Sequence, residues 1–296
     1  MHITVCIITY KRAAWLKRLL EALQRQDTDG LFSCSIVVVD NDFNRSARTV
    51  VEELRGRSPM LVDYQVESRQ NLALARNLAL THATGDLVAF LDDDEFPGDD
   101  WLLSLFRTWR AFRVSGVLGP VIPHFDQPPP RWIAKSKIFN RPRYQTGYSL
   151  GWRQTRTGNV LLDRSILKSA SDLFDEHFAM HGEDLDLFRR LVAKGHRFVW
   201  CDEAEVFETH PPTRLCRRYH MRRALLRGSV FYSHVPAKSV PVLKSIAALA
   251  VYVPALPVLL LFGQHHFMLF VVKCCDHIGR LMAFAGYRIE QHVRAP

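Results

Sequence analysis

"VAFLDDDEFPGDDW", residues 88–101, runs an apolar segment straight into four consecutive acids, Asp92, Asp93, Asp94 and Glu95. Adjacent like charges repel, and the more so beside a core. A solvated acidic turn is one explanation. It suits Asp99 and Asp100, which are placed to open a helix where negative charge is favoured. For Asp92, Asp93 and Asp94 the position points elsewhere: they stand where a buried strand ends, the edge at which open α/β sheets bind ligands. Asp92 and Asp94 form an Asp-x-Asp pair. A divalent cation such as Mg2+ or Mn2+ takes hard oxygen ligands, often one or two carboxylates with substrate phosphates completing the shell.

Upstream of this segment the pattern repeats. Ile3 to Thr9 is a β-rich apolar run, and "KRAAWLKRLLEALQRQ" follows with Trp15, Leu16, Leu19, Leu20 and Leu23 at helical spacing. "SIVVVD" ends at Asp40, "RSARTVVEELRG" is helical, and "LVDYQVE" leads into "NLALARNLALTHATG", where Gly85 occupies a C-cap position. Strands that are apolar throughout, alternating with amphipathic helices, predict a parallel sheet covered on both faces. The first two βα turns read "TYKR" and "DNDFN". Neither is a glycine-rich phosphate cradle, so a nucleotide bound here has to be held by side chains.

Downstream, residues 123–157 are rich in proline, basic and aromatic residues and read as a long irregular loop. Order returns with "GNVLLDRS" and "HGEDLDLF", residues 181–188. Glu183, Asp184 and Asp186 open a helix, where acids stabilise the macrodipole; equally, one of them could serve as general base toward an incoming hydroxyl. His210 in "FETHPP" ends a strand, as a surface or core histidine or as a ligand.

The net charge is +9. Six arginines fall between Arg214 and Arg227, shortly before a stretch from Ser245 to Val272 that contains no Asp, Glu, Lys or Arg. Basic residues beside an apolar stretch fit an anionic membrane surface on its cytoplasmic side. No nucleic-acid motif accompanies the charge, and nucleic acid is not expected as a partner. The stretch is long enough to cross a bilayer. Pro254, Pro257 and the Gly263–His266 break oppose one straight span, and Lys238, Lys244, Lys273 and Arg280 flank it on both sides, so an interfacial or re-entrant helical hairpin is expected. The six cysteines show no CxxC spacing, and reduced thiols are expected. The start, MHITVCIITYKR, does not read as a signal peptide.

"CIITYKR", "VVVDND", "NLALARNLAL", "ATGDLVAFLDDDE", "TGNVLLDRS", "GEDLDLFRRL" and "VFETHPP" follow in this order over residues 6–212. In series they resemble the family 2 glycosyltransferases of the GT-A fold, and within them the bacterial exopolysaccharide branch of succinoglycan-type glucosyltransferases. The resemblance implies a Rossmann-like, mainly parallel α/β sheet in a catalytic domain over residues 1–212, followed by a basic, then apolar, membrane-associating helical region over 213–296. Carried residue by residue, it sets the nucleotide against Thr9, Tyr10, Arg12, Asp40 and Asp42, and lines the donor pocket with Asn71 and Arg76. It assigns Asp92, with Asp93 beside it, to the nucleotide-sugar, and Gly158 and Asn159 to the loop under the sugar. It assigns Asp94 and His210 to the Mn2+ or Mg2+ side, Asp184 as catalytic base, and Glu183 as the group orienting sugar hydroxyls. Arg217 and Arg218 could meet phosphates or lipid headgroups. Processive relatives carry Gln-x-x-Arg-Trp where this chain reads "RLCRRYHMRR", so one sugar is added per visit. The activity implied is inverting transfer from a UDP-sugar to a lipid-linked saccharide at the cytoplasmic face of a bacterial inner membrane. Alternatives are a polyprenyl-phosphate, soluble or protein acceptor, or an inactive sugar-nucleotide-binding scaffold.

Overall fold

A computed structural model describes residues 1–57, 60–169, 173–178, 182–229 and 239–287; His181 of the second acidic motif lies outside them. The chain divides into two compact units, Met1–His124 with Arg141–Thr209, and Phe125–Asn140 with His210–Pro296.

In the first unit, β1 (His2–Thr9), α1 (Ala13–Leu23), β2 (Ser33–Asp40), α2 (Arg48–Arg55), β3 (Leu61–Val66), α3 (Leu72–His82) and β4 (Leu87–Asp92) alternate as the hydrophobic pattern requires. β3, β2, β1 and β4 lie side by side and parallel. Their alternate side chains feed two cores. Val5 and Ile7 pack with Leu16, Leu20 and Val51 on one face, while Cys6, Val37 and Val39 pack with Ala73, Ala79 and Phe188 on the other. That double burial is why these strands read as continuous apolar runs.

The sheet then mixes directions. β6 (Gly116–Leu118) and β10 (Phe198–Trp200) run parallel to each other, whereas β9 (Val160–Asp163) is antiparallel to both β4 and β6. β8 (Ser149–Leu150) closes the far edge against β10. β5 (Glu95–Pro97), β7 (Val121–His124) and β11 (Val206–Thr209) form a separate three-stranded sheet. α4 (Trp101–Phe112) covers the first core, and α6 (Glu183–Ala193) covers the second.

Gly85 does not cap α3. The helix ends with extended Ala83 at its C-cap, and a Cβ on Gly85 would come within 2.6 Å of the Leu87 carbonyl and 2.7 Å of the Thr4 amide. Glycine is required there because backbone meets backbone beside β1. The expected long loop contains the short helix α5 (Arg131–Ser136) as well as β8.

In the second unit, α7 (Arg217–Ser229) and α5 both pack on α9 (Gln264–Phe284): Trp132 and Ile133 meet Met268, and Ala224 meets Val272 and Cys275. α8 (Ser239–Leu261) stays helical through Pro254 and Pro257. Each proline removes one helical donor without breaking the run. The chain turns at Gly263, whose φ of 123° suits a residue without Cβ. α8 returns along α9, with Tyr252 packed edge-on against Phe270 and Ser245 bonded to His277. All six cysteines are free thiols.

Candidate active site

The acids that end β4 fold into a tight turn held from several directions. Asp93 is buried and points back at the β1–α1 turn. It accepts from the Thr9 hydroxyl at 2.9 Å, the Tyr10 amide at 3.4 Å and Arg12 Nη1 at 2.7 Å. Arg12 also reaches Asp94 at 3.3 Å. Burial raises the Asp93 carboxyl to about 6; Arg12 opposes the rise, and neighbouring Asp94 adds to it. Burial works against the Arg12 cation, but Asp93, Asp94 and Asp92 outweigh it and raise its pKa. The Thr209 amide donates to the Asp94 carbonyl at 2.7 Å, so β11 fixes the far end of the turn. The Tyr10 hydroxyl accepts from Gln70 at 2.6 Å.

Asp92 differs from its neighbours: its side chain is 52% exposed. Arg76, buried on α3, approaches it at 3.5 Å and forms an ion pair with Glu183 at the start of α6. Arg76 therefore joins the two acidic motifs, which are far apart in sequence. Burial disfavours its charge, but Glu183, Asp92 and Asp184 together raise its pKa. Burial raises the Glu183 carboxyl, with Arg76 opposing and Asp184 reinforcing. Glu183 Oε2 has no hydrogen-bond partner within the protein. A buried oxygen in that state costs free energy until something donates to it. Asp184 accepts from the Leu185 amide at 2.7 Å and is partly exposed. Gly158 lies against the same acids: a Cβ there would stand 2.8 Å from Glu95 Oε1 and 3.3 Å from Asp92 Oδ2.

Several of the residues assigned to the nucleotide-sugar also shape backbone. Asp40 is fully buried and accepts from the Ala47 amide at 2.7 Å, the Asp42 amide at 3.0 Å and the Tyr64 hydroxyl at 3.0 Å. Asp42 accepts from Asn44 at 3.2 Å, completing the loop after β2. Asn71 caps α3 by accepting from Ala73 and Leu74, and donates to the Glu176 carbonyl. Asn159, wholly buried with φ 57°, donates to the carbonyls of Pro120 and Ala204 and accepts from Trp101 Nε1 at 2.7 Å. The side chains of Asp40, Asn71 and Asn159 thus hold the walls around the acid turn. His210 belongs to the second unit, where its ring stacks on Phe139 at 4.0 Å.

Glu95 of the acid run and three residues that the sequence did not single out, Glu208, Arg141 and Arg156, complete the centre. Glu95 is 2% exposed and accepts from the Asp92 amide at 3.0 Å. Its carboxyl is raised well above its ordinary range by burial and by Asp92. Glu208 faces it across β5 and β11 and is paired with Arg141. Arg156 lies near Glu95, Glu208 and Asp184; burial, then Arg141, lowers its pKa to about 10. No short-range pattern marks Glu208, Arg141 and Arg156, because β5, β11 and the loop before β9 meet only in the fold.

A divalent cation fits this donor set in kind. Asp92 and Asp94 offer hard carboxylate oxygens at a strand end, facing Arg12 and Arg76, which suit phosphate. Among the described residues no group of three or more His, Cys, Asp or Glu is arranged to hold a metal. A site completed by substrate phosphates needs no such group.

The model of the family described as glycosyl transferase family 2 matches residues 4–174, more than half of the chain. The chain is a family 2 glycosyltransferase. This family 2 glycosyltransferase is 32% identical to the succinoglycan biosynthesis protein ExoM of Rhizobium meliloti over 77% of its own length and 73% of that protein. It is 34% identical to validoxylamine A glucosyltransferase of Streptomyces hygroscopicus over 70% of its length and 56% of the relative. Among solved structures, TarS residues 1–349 of S. aureus in complex with UDP-GlcNAc aligns with TM-score 0.57 at 15% identity, covering 98% of this chain and 93% of that one. GalNAc-T7 with UDP, GalNAc and Mn2+ aligns with TM-score 0.57 at 13% identity over 80% and 52%. The mostly parallel sheet of this family 2 glycosyltransferase is the GT-A fold of those structures.

Proposed function

We propose that the protein is a metal-dependent, inverting glycosyltransferase that moves one sugar from a UDP-sugar to a polyprenyl-linked saccharide in cell-surface polysaccharide synthesis. The observation that carries this is the convergence on Arg76: a buried cation touches Asp92 of the strand-end acids and Glu183 of the helix-start acids. A donor group and a proton acceptor have to share one centre for a single displacement, and this pairing supplies both.

In the proposed reaction the acceptor hydroxyl attacks the anomeric carbon from the face opposite the diphosphate. The new C–O bond forms as the bond to the diphosphate breaks, and the nucleoside diphosphate leaves with that electron pair. Asp184, partly exposed at the start of α6, takes the hydroxyl proton. Glu183 Oε2, buried and without a protein donor, is available to accept from a sugar hydroxyl. Arg12 and Arg76 bring positive charge to the developing diphosphate. Asp94 and Asp92 would hold Mn2+ or Mg2+, and such a cation neutralises the leaving group when bound. Relatives named as a succinoglycan biosynthesis protein and an O-antigen chain rhamnosyltransferase support a saccharide acceptor, and the UDP and UDP-GlcNAc complexes of TarS support a UDP-sugar donor.

For the membrane, Pro241–Leu261 is the one described helix long and apolar enough to cross a bilayer, and only 6% of its apolar window is buried. Leu243, Ile246, Val251, Val253, Val258 and Leu261 are exposed along α8. Its partner α9 carries Lys273, Asp276 and Arg280 and packs on α7, whose Arg217, Arg218, Arg222, Arg223 and Arg227 are exposed. Drawing α9 and α7 into hydrocarbon would cost at least about 2.5 kcal/mol per arginine. α8 therefore lies in the interface, at the cytoplasmic face of the bacterial inner membrane, with the arginines toward anionic headgroups. The activity is tested by screening a panel of sugar nucleotides, with and without Mn2+, for thermal protection and hydrolysis. Protection by UDP-sugars that requires Mn2+ is expected; indifference to every nucleotide would refute the proposal.

A further inference from the structure

The acid turn is fixed at both ends. The Thr209 amide holds the Asp94 carbonyl at 2.7 Å, and the Glu95 carboxylate holds the Asp92 amide at 3.0 Å. The second of these is an unusual arrangement. Glu95 and Glu208 stand directly opposite each other across β5 and β11, both buried. Like charges in that relation destabilise a sheet, and an apolar pair would fill the place more cheaply. What Glu95 does with its position is reach two functional elements at once. Its Oε2 accepts from Asp92, whose side chain faces the proposed donor, while its Oε1 fills the space that a side chain on residue 158 would need, 2.8 Å from the Cβ position. Arg141, paired with Glu208, offsets the charge of the glutamate pair.

We propose that Glu95 is a positioning residue for the transfer reaction: the reach of its carboxylate sets the Asp92 backbone against the Gly158 loop and so sets where the donor sugar lies relative to Asp92. This rests on the donor-site assignment made above and adds a residue to it. Glu95 is given no contact with substrate; it acts through Asp92 and Gly158.

Two near-isosteric substitutions separate reach from charge. Glu95→Gln keeps the length and an oxygen able to accept from the Asp92 amide, and loses the charge. Glu95→Asp keeps the charge and is one methylene too short. Turnover is measured as hydrolysis of the UDP-sugar that the wild-type protein cleaves fastest in a panel, and UDP binding with Mn2+ by calorimetry. Glu95→Gln is expected within about threefold of wild type in kcat. Glu95→Asp is expected to lose on the order of 10–100-fold in kcat, the scale of a displacement of about 1 Å at a reacting centre. UDP, which lacks the sugar, is expected to bind both variants within about threefold of wild type. A residue that merely stabilised the fold would lower melting temperature and leave kcat per folded molecule unchanged.

Gly158→Ala perturbs the same contact from the other side. Its Cβ displaces Glu95 Oε1, so a comparable fall in kcat is expected with Glu95 intact, and less than the product of the two losses when it is combined with Glu95→Asp. Full activity of Glu95→Asp or of Gly158→Ala, a loss confined to Glu95→Gln, or equal losses in both Glu95 variants would overturn the proposal. Failure of the wild-type protein to bind UDP at all is a different result: it would remove the donor site itself, and the role of Glu95 with it.

Discussion

Replacing Arg76 by methionine probes the contact that joins the two acidic motifs. Arg76 is 4% exposed and Glu183 3% exposed, so the substitution leaves a carboxylate in the interior without its cation. Breaking one partner of a buried pair costs about 3–5 kcal/mol. For a domain of this size each kcal/mol moves the melting temperature by about 2–4 °C, which gives a fall of about 6–20 °C. The deficit depends on pH. Burial already raises the Glu183 carboxyl above its ordinary 4.5, and Arg76 is the main opposing influence. Without Arg76 the folded-state value rises further. A carboxyl raised in the folded state takes up protons on folding at intermediate pH, so stability is greatest below the unfolded value and declines as pH climbs toward the folded one. The deficit of Arg76→Met is therefore largest at neutral pH and shrinks as pH falls toward 5. Adding Glu183→Gln removes the stranded charge and is expected to recover part of the loss. Thermal unfolding of wild type, single and double variants at pH 5 and pH 7.5 measures all three effects. A melting temperature within about 2 °C of wild type, or a deficit that grows on acidification, would refute this account of the pair.

Asn159→Ala strands the Trp101 indole N–H and two carbonyls and places alanine at a left-handed φ, so a loss of about 3–5 kcal/mol is expected in denaturant unfolding, with UDP affinity retained in the folded fraction. Combining Ile246→Glu, Val251→Glu and Val258→Glu puts charge on the exposed face of α8. Sedimentation with vesicles containing anionic lipid is expected to fall at least tenfold without loss of soluble UDP binding, and undiminished sedimentation would contradict the interfacial placement.

The fold was legible where burial imposes a period. The continuous apolar runs of β1, β2 and β4 and the stripe of Leu16, Leu19, Leu20 and Leu23 report a sheet covered on both faces, and the structure has those elements. The antiparallel insertion of β9 was not legible, since "VLLD" is as apolar as its parallel neighbours and strand direction leaves no mark on composition. Gly85 was misread because a glycine after a helix serves equally as a cap or as a point of close approach. At the site, the two acidic motifs were legible as charge beside buried elements, and the structure brings Asp92 and Glu183 to one arginine, Arg76. Asp40, Asn71 and Asn159 show that one side chain type serves two ends, since each also holds backbone. A polar side chain that caps a helix or satisfies a turn looks, in sequence, like one that faces a ligand. Glu95, Glu208, Arg141 and Arg156 come together from separated stretches, and their juxtaposition exists only once β5 and β11 have paired.

The division of labour between the two motifs is tested most directly by comparing Asp94→Asn with Asp184→Asn, using calorimetry with UDP and Mn2+ alongside a sugar-transfer assay. Asp94→Asn is expected to lose Mn2+-dependent UDP binding, and Asp184→Asn to bind UDP as wild type while transfer falls below detection. Normal turnover by Asp184→Asn, or unchanged Mn2+-dependent binding by Asp94→Asn, would contradict the shared centre proposed for the two motifs.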